Sequence, residues 1–183
     1  MIMKDLALHI LDILQNSVTA GATVVKLQID ELPDKDQYLV KFTDNGKGMD
    51  AEMVQHVTDP FFTTRTTRKV GLGLPLLKQN AERTGGSMTI HSEPGKGTEV
   101  EVVFVFSHID RLPTGDVSGT LALTASSYPA IDFIYTHNTP EGTFKFDTFE
   151  IKETLGDLPI NNPQVISFMK DLIRENLEEI KAS

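Results

Sequence analysis

Between Asp59 and Leu77 the chain reads DPFFTTRTTRKVGLGLPLL. Thr63 to Val70 has no hydrophobic period, so it reads as a loop. It holds Arg65, Arg68 and Lys69 and no acid, in a chain whose net charge is −9. Gly71 and Gly73 follow at a predicted helix start, where free backbone N–H groups and the helix dipole favour an anion. Concentrated positive charge leading into such a start suits a compact anion such as a triphosphate. A solvated basic loop between two helices is the plainer reading of the same residues. A second group, Asp44-Asn45-Gly46-Lys47-Gly48, sets a carboxylate beside two glycines that let backbone come close to a ligand. Alone, an Asp before Asn-Gly is more often the start of a turn. A third group, His9, Asp12 and Asn16, recurs at i, i+3 and i+7 and so shares one face of a helix.

Regular elements must hold these groups. Lys4 to Ala20 is a predicted helix with an apolar stripe of Leu6, Ile10, Leu14 and Val18, widened by Ala7, Leu11 and Ile13. Gly21 is placed to end it. Thr23 to Asp30 and Tyr38 to Thr43 alternate as strands around the turn-rich Leu32 to Gln37, which predicts a hairpin. Asp50 is a candidate N-cap for a short helix to His56. Gly73-Leu74-Pro75 opens a helix to Arg83, with proline in its tolerated first turn. Ser87 to Ser92 and Thr98 to Phe106 are further strands. The order α-β-β-α-loop-α-β-β favours a mixed sheet with helices on one face, not a doubly wound fold. From Ser107 the pattern changes. Val117 to Ser127 is a weak helix, Asp132 to His137 and Thr143 to Asp147 a hairpin, and Phe149 to Leu155 a short helix. Asn162 and Pro163 begin a final helix. These boundaries predict a domain over 1–107 and a small α+β appendage over 108–183.

Composition narrows the function classes. A chain of 183 residues with 39% hydrophobic and 23% charged residues is an ordinary globular chain. Its acidic balance argues against general nucleic-acid binding and against an anionic membrane surface. The absence of cysteine excludes a disulfide framework, thiol catalysis and zinc–thiolate sites. The five histidines lack metal-ligand spacing. Asp5, His9 and Asp12 interrupt the apolar N-terminus, so it does not read as a signal peptide, and no stretch is long enough to span a membrane. A reduced cytoplasm is the expected setting.

Two nucleotide motifs are set aside. Gly95-Lys96-Gly97-Thr98 lacks the spacing of a Walker loop, and Gly71-Leu72-Gly73-Leu74-Pro75-Leu76 lacks the third glycine of a dinucleotide fingerprint. Taken in order, however, Asn16, Asp44-x-Gly46-x-Gly48, Asp59-Pro60-Phe61-Phe62, Gly71-Leu72-Gly73-Leu74 and Gly95-Lys96-Gly97-Thr98 resemble the N, G1, F, G2 and G3 boxes of the GHKL superfamily. These are the ATP-binding domains of gyrase, Hsp90, histidine kinases and MutL. The resemblance covers roughly Leu6 to Phe106. Asp59 to Thr64 and the Gly-Leu-Gly-Leu box look most like sensor histidine kinases, whereas Gln15-Asn16-Ser17 through Ala20-Gly21-Ala22-Thr23 looks more like MutL.

The resemblance implies a Bergerat-type two-layer α/β sandwich that binds ATP and Mg²⁺. Asp44 would accept from the exocyclic amine of adenine, where guanine would present an oxygen. Gly46 and Gly48 would let backbone approach the purine, and Thr98 would support the Asp44 contact. Asn16 would bind Mg²⁺ by its carbonyl, with phosphates supplying other oxygens. Gly71, Leu72, Gly73 and Leu74 would set backbone amides against the phosphates. Arg65, Arg68 and Lys69 would be cations of a closing lid, with Phe61 and Phe62 packing its base. Asp12 stands where the MutL-like branch carries a water-activating carboxylate, with a shorter reach than the usual Glu.

A histidine kinase also needs a phospho-accepting His on a helical domain, and the expectation is that none precedes the boxes here. His108, in His-Ile-Asp-Arg-Leu-Pro, loosely resembles the acceptor box and reads equally as a linker histidine. The leading expectation is a Mg-ATP-binding regulatory protein that phosphorylates a partner in trans or slowly hydrolyses ATP. The 108–183 segment would recognise that protein partner. The alternatives are a nucleotide-gated binding module resembling anti-sigma factors, and an ATPase clamp that homodimerises on ATP.

Overall fold

The computed structural model describes residues 4–59 and 73–183. The expected lid residues Phe61, Phe62, Arg65, Arg68, Lys69, Gly71 and Leu72 lie outside the described residues.

Helix α1 spans Leu6–Thr19. Its first turn is satisfied from two sources. Asp5 Oδ1 accepts from the Leu8 N–H at 3.0 Å, and the Leu6 and Ala7 N–H groups donate to the carbonyls of Pro113 and Thr114 at 2.9 Å. The segment after residue 107 therefore caps the first helix. Strands β1 (Val24–Leu32) and β2 (Gln37–Asp44) form the expected hairpin. Helix α2 (Ala51–His56) starts at Asp50, whose side chain accepts from the Met53 N–H at 2.8 Å. Helix α3 (Gly73–Arg83) leads to β3 (Ser87–Glu93) and β4 (Gly97–Val105). Then follow α4 (Val117–Ser127), β5 (Asp132–Thr139), β6 (Gly142–Asp147), α5 (Thr148–Leu155) and α6 (Pro163–Glu179).

All six strands form one sheet in the order β3-β4-β2-β1-β5-β6. The α+β sandwich is as expected, but residues 108–183 do not stand apart from it. Strand β5 pairs in parallel with β1 from Val24↔Asp132 to Asp30↔Asn138, and β6 pairs with β5. The physical reason lies in the register. Val25, Leu27 and Ile29 stand opposite Phe133, Tyr135 and His137, so the alternation of β5 extends the apolar face of β1 and satisfies its open edge. One core cluster runs from Val102 and Phe104 through Val40 and Tyr38 to Phe144 and Phe146. Helix α3 packs on β3 and β4, α1 on α3 and α4, and α4 on α6. The other sheet face carries Lys26, Gln28, Lys41, Glu99 and Glu101, with Lys41 and Glu99 paired at 3.0 Å.

Helix α4 shows why its sequence reads weakly. Its buried residues include Val117, Ser118, Gly119, Leu121, Ala122, Thr124 and Ala125, so it is enclosed on several sides between α1 and α6. Small residues there allow close helix packing at the expense of helix propensity. Asp116 secures its start, accepting from the Gly119 N–H and the Ser118 hydroxyl at 2.8 Å. Those two bonds, with Lys170 nearby, hold its carboxyl below the ordinary value despite some burial. Among the described residues no helix is long and apolar enough to cross a membrane.

Candidate nucleotide-binding site

The end of β2 builds the first half of the site. Asp44 stands opposite Thr98 of β4. The Ser17 hydroxyl donates to Asp44 Oδ2 at 2.7 Å, and the Gly46 N–H donates to Oδ1 at 2.9 Å. A carboxylate has about four acceptor positions, so these bonds orient the group and leave capacity for a ligand amine. On the next strands, Ser92 and Thr98 hydroxyls lie 2.8 Å apart, and the Met49 N–H donates to Ser92 Oγ at 2.8 Å. Asn45 Oδ1 accepts from the Thr23 and Val24 N–H groups, both at 2.9 Å, which fixes the turn.

Glycine is required here by close approach. A Cβ on Gly48 (φ +67) would stand 1.9 Å from the Glu93 carbonyl oxygen, and one on Gly97 (φ +100) would stand 1.9 Å from that of Asp44. Asp44, Ser92, Gly97 and Thr98, together with Thr43, His91 and Glu99 from the other sheet face, border an open depression of about 190 Å³ at the strand ends.

The second half is the joint between α1 and α3. The face carrying His9, Asp12 and Asn16 is graded: His9 is fully buried, Asp12 half-buried and Asn16 exposed. Among the described residues Asn16 is thus the solvent-facing member of the three. It lies at the open end of α1, directly before the Ser17 that holds Asp44. A Cβ on Gly73 would stand 2.3 Å from Asp12 Oδ2, so the carboxylate lies against the first residue of α3. A negative group is favoured there by the helix dipole. Leu74 has its side chain in the core, which anchors the first turn of α3 and leaves the expected contact from its backbone untouched. Burial lowers the proton affinity of His9 below the ordinary imidazole value, against the Asp5 carboxylate and the Gly73 backbone.

His108 is not part of this assembly. It lies in a turn after β4, where its Nδ1 accepts from the Asp110 N–H at 3.1 Å. Thr98 and Val105 mark opposite ends of β4, so a strand rise of about 3.4 Å per residue puts His108 more than about 20 Å from the Asp44 end.

Ser17, Ser92 and His9 join these groups in the structure, although the sequence reading gave none of the three a role at the site. Ser17 had a signal in the sequence, since it is a polar residue on the buried stripe of α1. Ser92 had none, because its role depends on the β3–β4 register. The donor chemistry fits a hard cation: Asn16 offers an amide oxygen and Asp12 a carboxylate one turn away. Among the described residues no cluster of His, Cys, Asp or Glu would hold a metal unaided.

The family model described as "Histidine kinase-, DNA gyrase B-, and HSP90-like ATPase" matches residues 3–108. The chain is 35% identical over 83 residues to "Sensor kinase CckA" of Brucella abortus, covering 45% of this chain and 9% of that protein. It is 39% identical over 69 residues to "Sporulation kinase D" of Bacillus subtilis, covering 38% of this chain and 13% of that one. Each alignment thus spans a small part of the relative's length. A solved structure titled "Crystal Structure of N terminal domain of a DNA repair protein" has the same fold, with a TM-score of 0.54 at 17% identity over 79% of this chain and 52% of that chain.

Proposed function

The chain belongs to the histidine kinase-, DNA gyrase B- and HSP90-like ATPase family, and from that premise we propose that it is a Mg-ATP-dependent regulatory protein. It transfers the γ-phosphoryl group to a partner protein in trans or, slowly, to water. The observation that carries this reading is the oriented Asp44 carboxylate at the end of β2, opposite Thr98 and fixed by Gly46 and by Ser17, the residue after Asn16 on α1. Asp44 accepts from the adenine amine, which excludes guanine at that position. Gly48 and Gly97 keep the strand ends close around the base. The α3 N-terminus at Gly73 receives the phosphates, and Asn16 holds Mg²⁺ by its carbonyl. When bound, the ion neutralises phosphate charge and orients the terminal group. Arg65, Arg68 and Lys69, with Gly71 and Leu72 at the helix entry and Phe61 and Phe62 at the base, act as the lid over the triphosphate. Residues 108–183 brace α1 and offer exposed Phe149 and Phe168 to the partner. His108, being remote, is not in reach of a nucleotide in its own chain.

Incubation with γ-labelled ATP and candidate partners tests the chemistry. Label on a partner or in free phosphate supports it, and label in neither overturns it.

A second reading follows from Asp12. Its carboxylate is folded against Gly73, a position that suits a helix-start contact as well as a general base. In that reading ATP orders the surface for a partner and turnover is incidental. Partner binding that depends on ATP would then survive Asp12→Asn but not Asp44→Asn.

A further inference from the structure

Two side chains of α1 bear on the first turn of α3. Asp12 is one. The other is His9, one turn earlier and with no exposed surface. Its Nε2 lies 2.9 Å from Asn80 Nδ2, about two turns into α3. An amide nitrogen only donates, so Nε2 accepts and the ring proton sits on Nδ1. Nδ1 is buried and has no hydrogen-bond partner among the described residues. The backbone that bears on the ring is that of Gly73. Asn80 anchors one edge of the imidazole, and the opposite edge presents its donor to the start of α3. Native proteins rarely leave such a donor unsatisfied, and one that is unsatisfied calls for a state in which it is met.

Resting on the ATP reading above, we propose that His9 is a positioning residue for the phosphate end of the nucleotide site. It ties α3 to α1 through Asn80 and sets the distance from the Gly73 amides to Asp12 and Asn16. Phosphate at the helix start draws the first turn toward α1. The Gly73 carbonyl then accepts from His9 Nδ1–H at full strength, tightening a backbone contact that is already present and too long for a good hydrogen bond without ligand. The adenine end, held by Asp44 and Ser17, is independent of this bond.

The test compares two ligands that share adenine and differ in phosphates. Calorimetry on the full chain measures adenosine and a non-hydrolysable ATP analogue with Mg²⁺. His9→Leu is expected to weaken the triphosphate about tenfold, the size of one hydrogen bond, and to leave adenosine within twofold. His9→Asn returns only the donor at the Nδ1 position and His9→Gln only the acceptor for Asn80, so each should restore part of the loss and neither all of it. Asn80→Leu removes the anchor from α3 and should give the same split, which keeps the test open if His9→Leu fails to fold. Equal weakening of both ligands, or no weakening of the triphosphate, overturns the proposal and marks His9 as core packing. Failure of the unmodified chain to bind either ligand overturns the ATP reading itself.

Discussion

The sheet carries a polar network at each end, and the two are built to opposite rules. At the Asp44 end, Ser17, Gly46, Ser92 and Thr98 hold groups that are only partly buried, beside an open cleft. At the other end, Glu31 and His137 are sealed in the core. His137 Nε2 lies 2.8 Å from Glu31 Oε1, Nδ1 lies 2.6 Å from the Tyr135 hydroxyl, and the Ser183 N–H donates to Glu31 at 2.7 Å. Thr114 joins the Tyr38 hydroxyl to the Ser183 carbonyl alongside. Burial alone would push the Glu31 carboxyl up, but hydrogen bonds from His137 and Ser183 outweigh it and leave it below the ordinary value. Burial pushes the Tyr135 hydroxyl up, and the neighbouring Tyr38 and Glu31 add to that. The sealed network has its partners within the chain and so stabilises. The open network keeps acceptor capacity for something that arrives.

The sharpest way to break this contrast is at the acceptors themselves. Asp44→Asn turns an acceptor edge partly into a donor facing the adenine amine. It should weaken ATP by at least about 100-fold, near 3 kcal/mol, with little change in melting temperature. Titration calorimetry and a thermal melt on the same sample check both halves. At the other end, Glu31→Ala leaves the buried His137 Nε2 without its hydrogen-bond partner. It should cost roughly 2 kcal/mol of stability, read as the denaturant midpoint, with ATP affinity within twofold once the protein is folded. A loss of affinity matching the loss of stability would erase the distinction.

The same glutamate makes a pH prediction. Its folded-state proton affinity is lowered, so the stability it contributes is fully present above the ordinary value of 4.5 and is lost as pH falls through the lower folded value. Denaturant midpoints measured from pH 7 down to 3 should fall less steeply below 4.5 in Glu31→Gln than in the unmodified chain. An unchanged slope would remove Glu31 from the account. The smallest effect is expected at Ser17→Ala, which frees one oxygen of Asp44. A hydrogen bond to a charged group is worth about 1.5 kcal/mol at the low end, read mainly as stability, while the Gly46 bond still orients Asp44 and ATP should weaken only a few-fold.

Much of the fold was legible in the residues. Val117–Ser127 was predicted with the bounds that the structure has, despite weak propensity, and the structure adds Asp116 as its N-cap. Asp50 and Asn162 likewise act as the N-caps their types suggest. The separation of 108–183 from the rest was the reading that the structure changed. Its strands alternate as any hairpin would, and nothing local states that β5 pairs with β1, more than 100 residues earlier.

The sequence by itself determined the family and the ordered boxes, since glycines at 46, 48, 73 and 97 and the acid at 44 are local requirements of backbone approach and acceptor chemistry. Tertiary structure alone decided which of the chain's polar groups are joined. Ser17 to Asp44, His9 to Asn80 and His137 to Glu31 are 27, 71 and 106 residues apart in the chain. Helix packing and strand register, not any local pattern, bring such pairs within hydrogen-bond reach. That is why the turn at Asp44 could be expected from its motif and the His9 face from its spacing, while the packing of His9 against Asn80 of α3 could not.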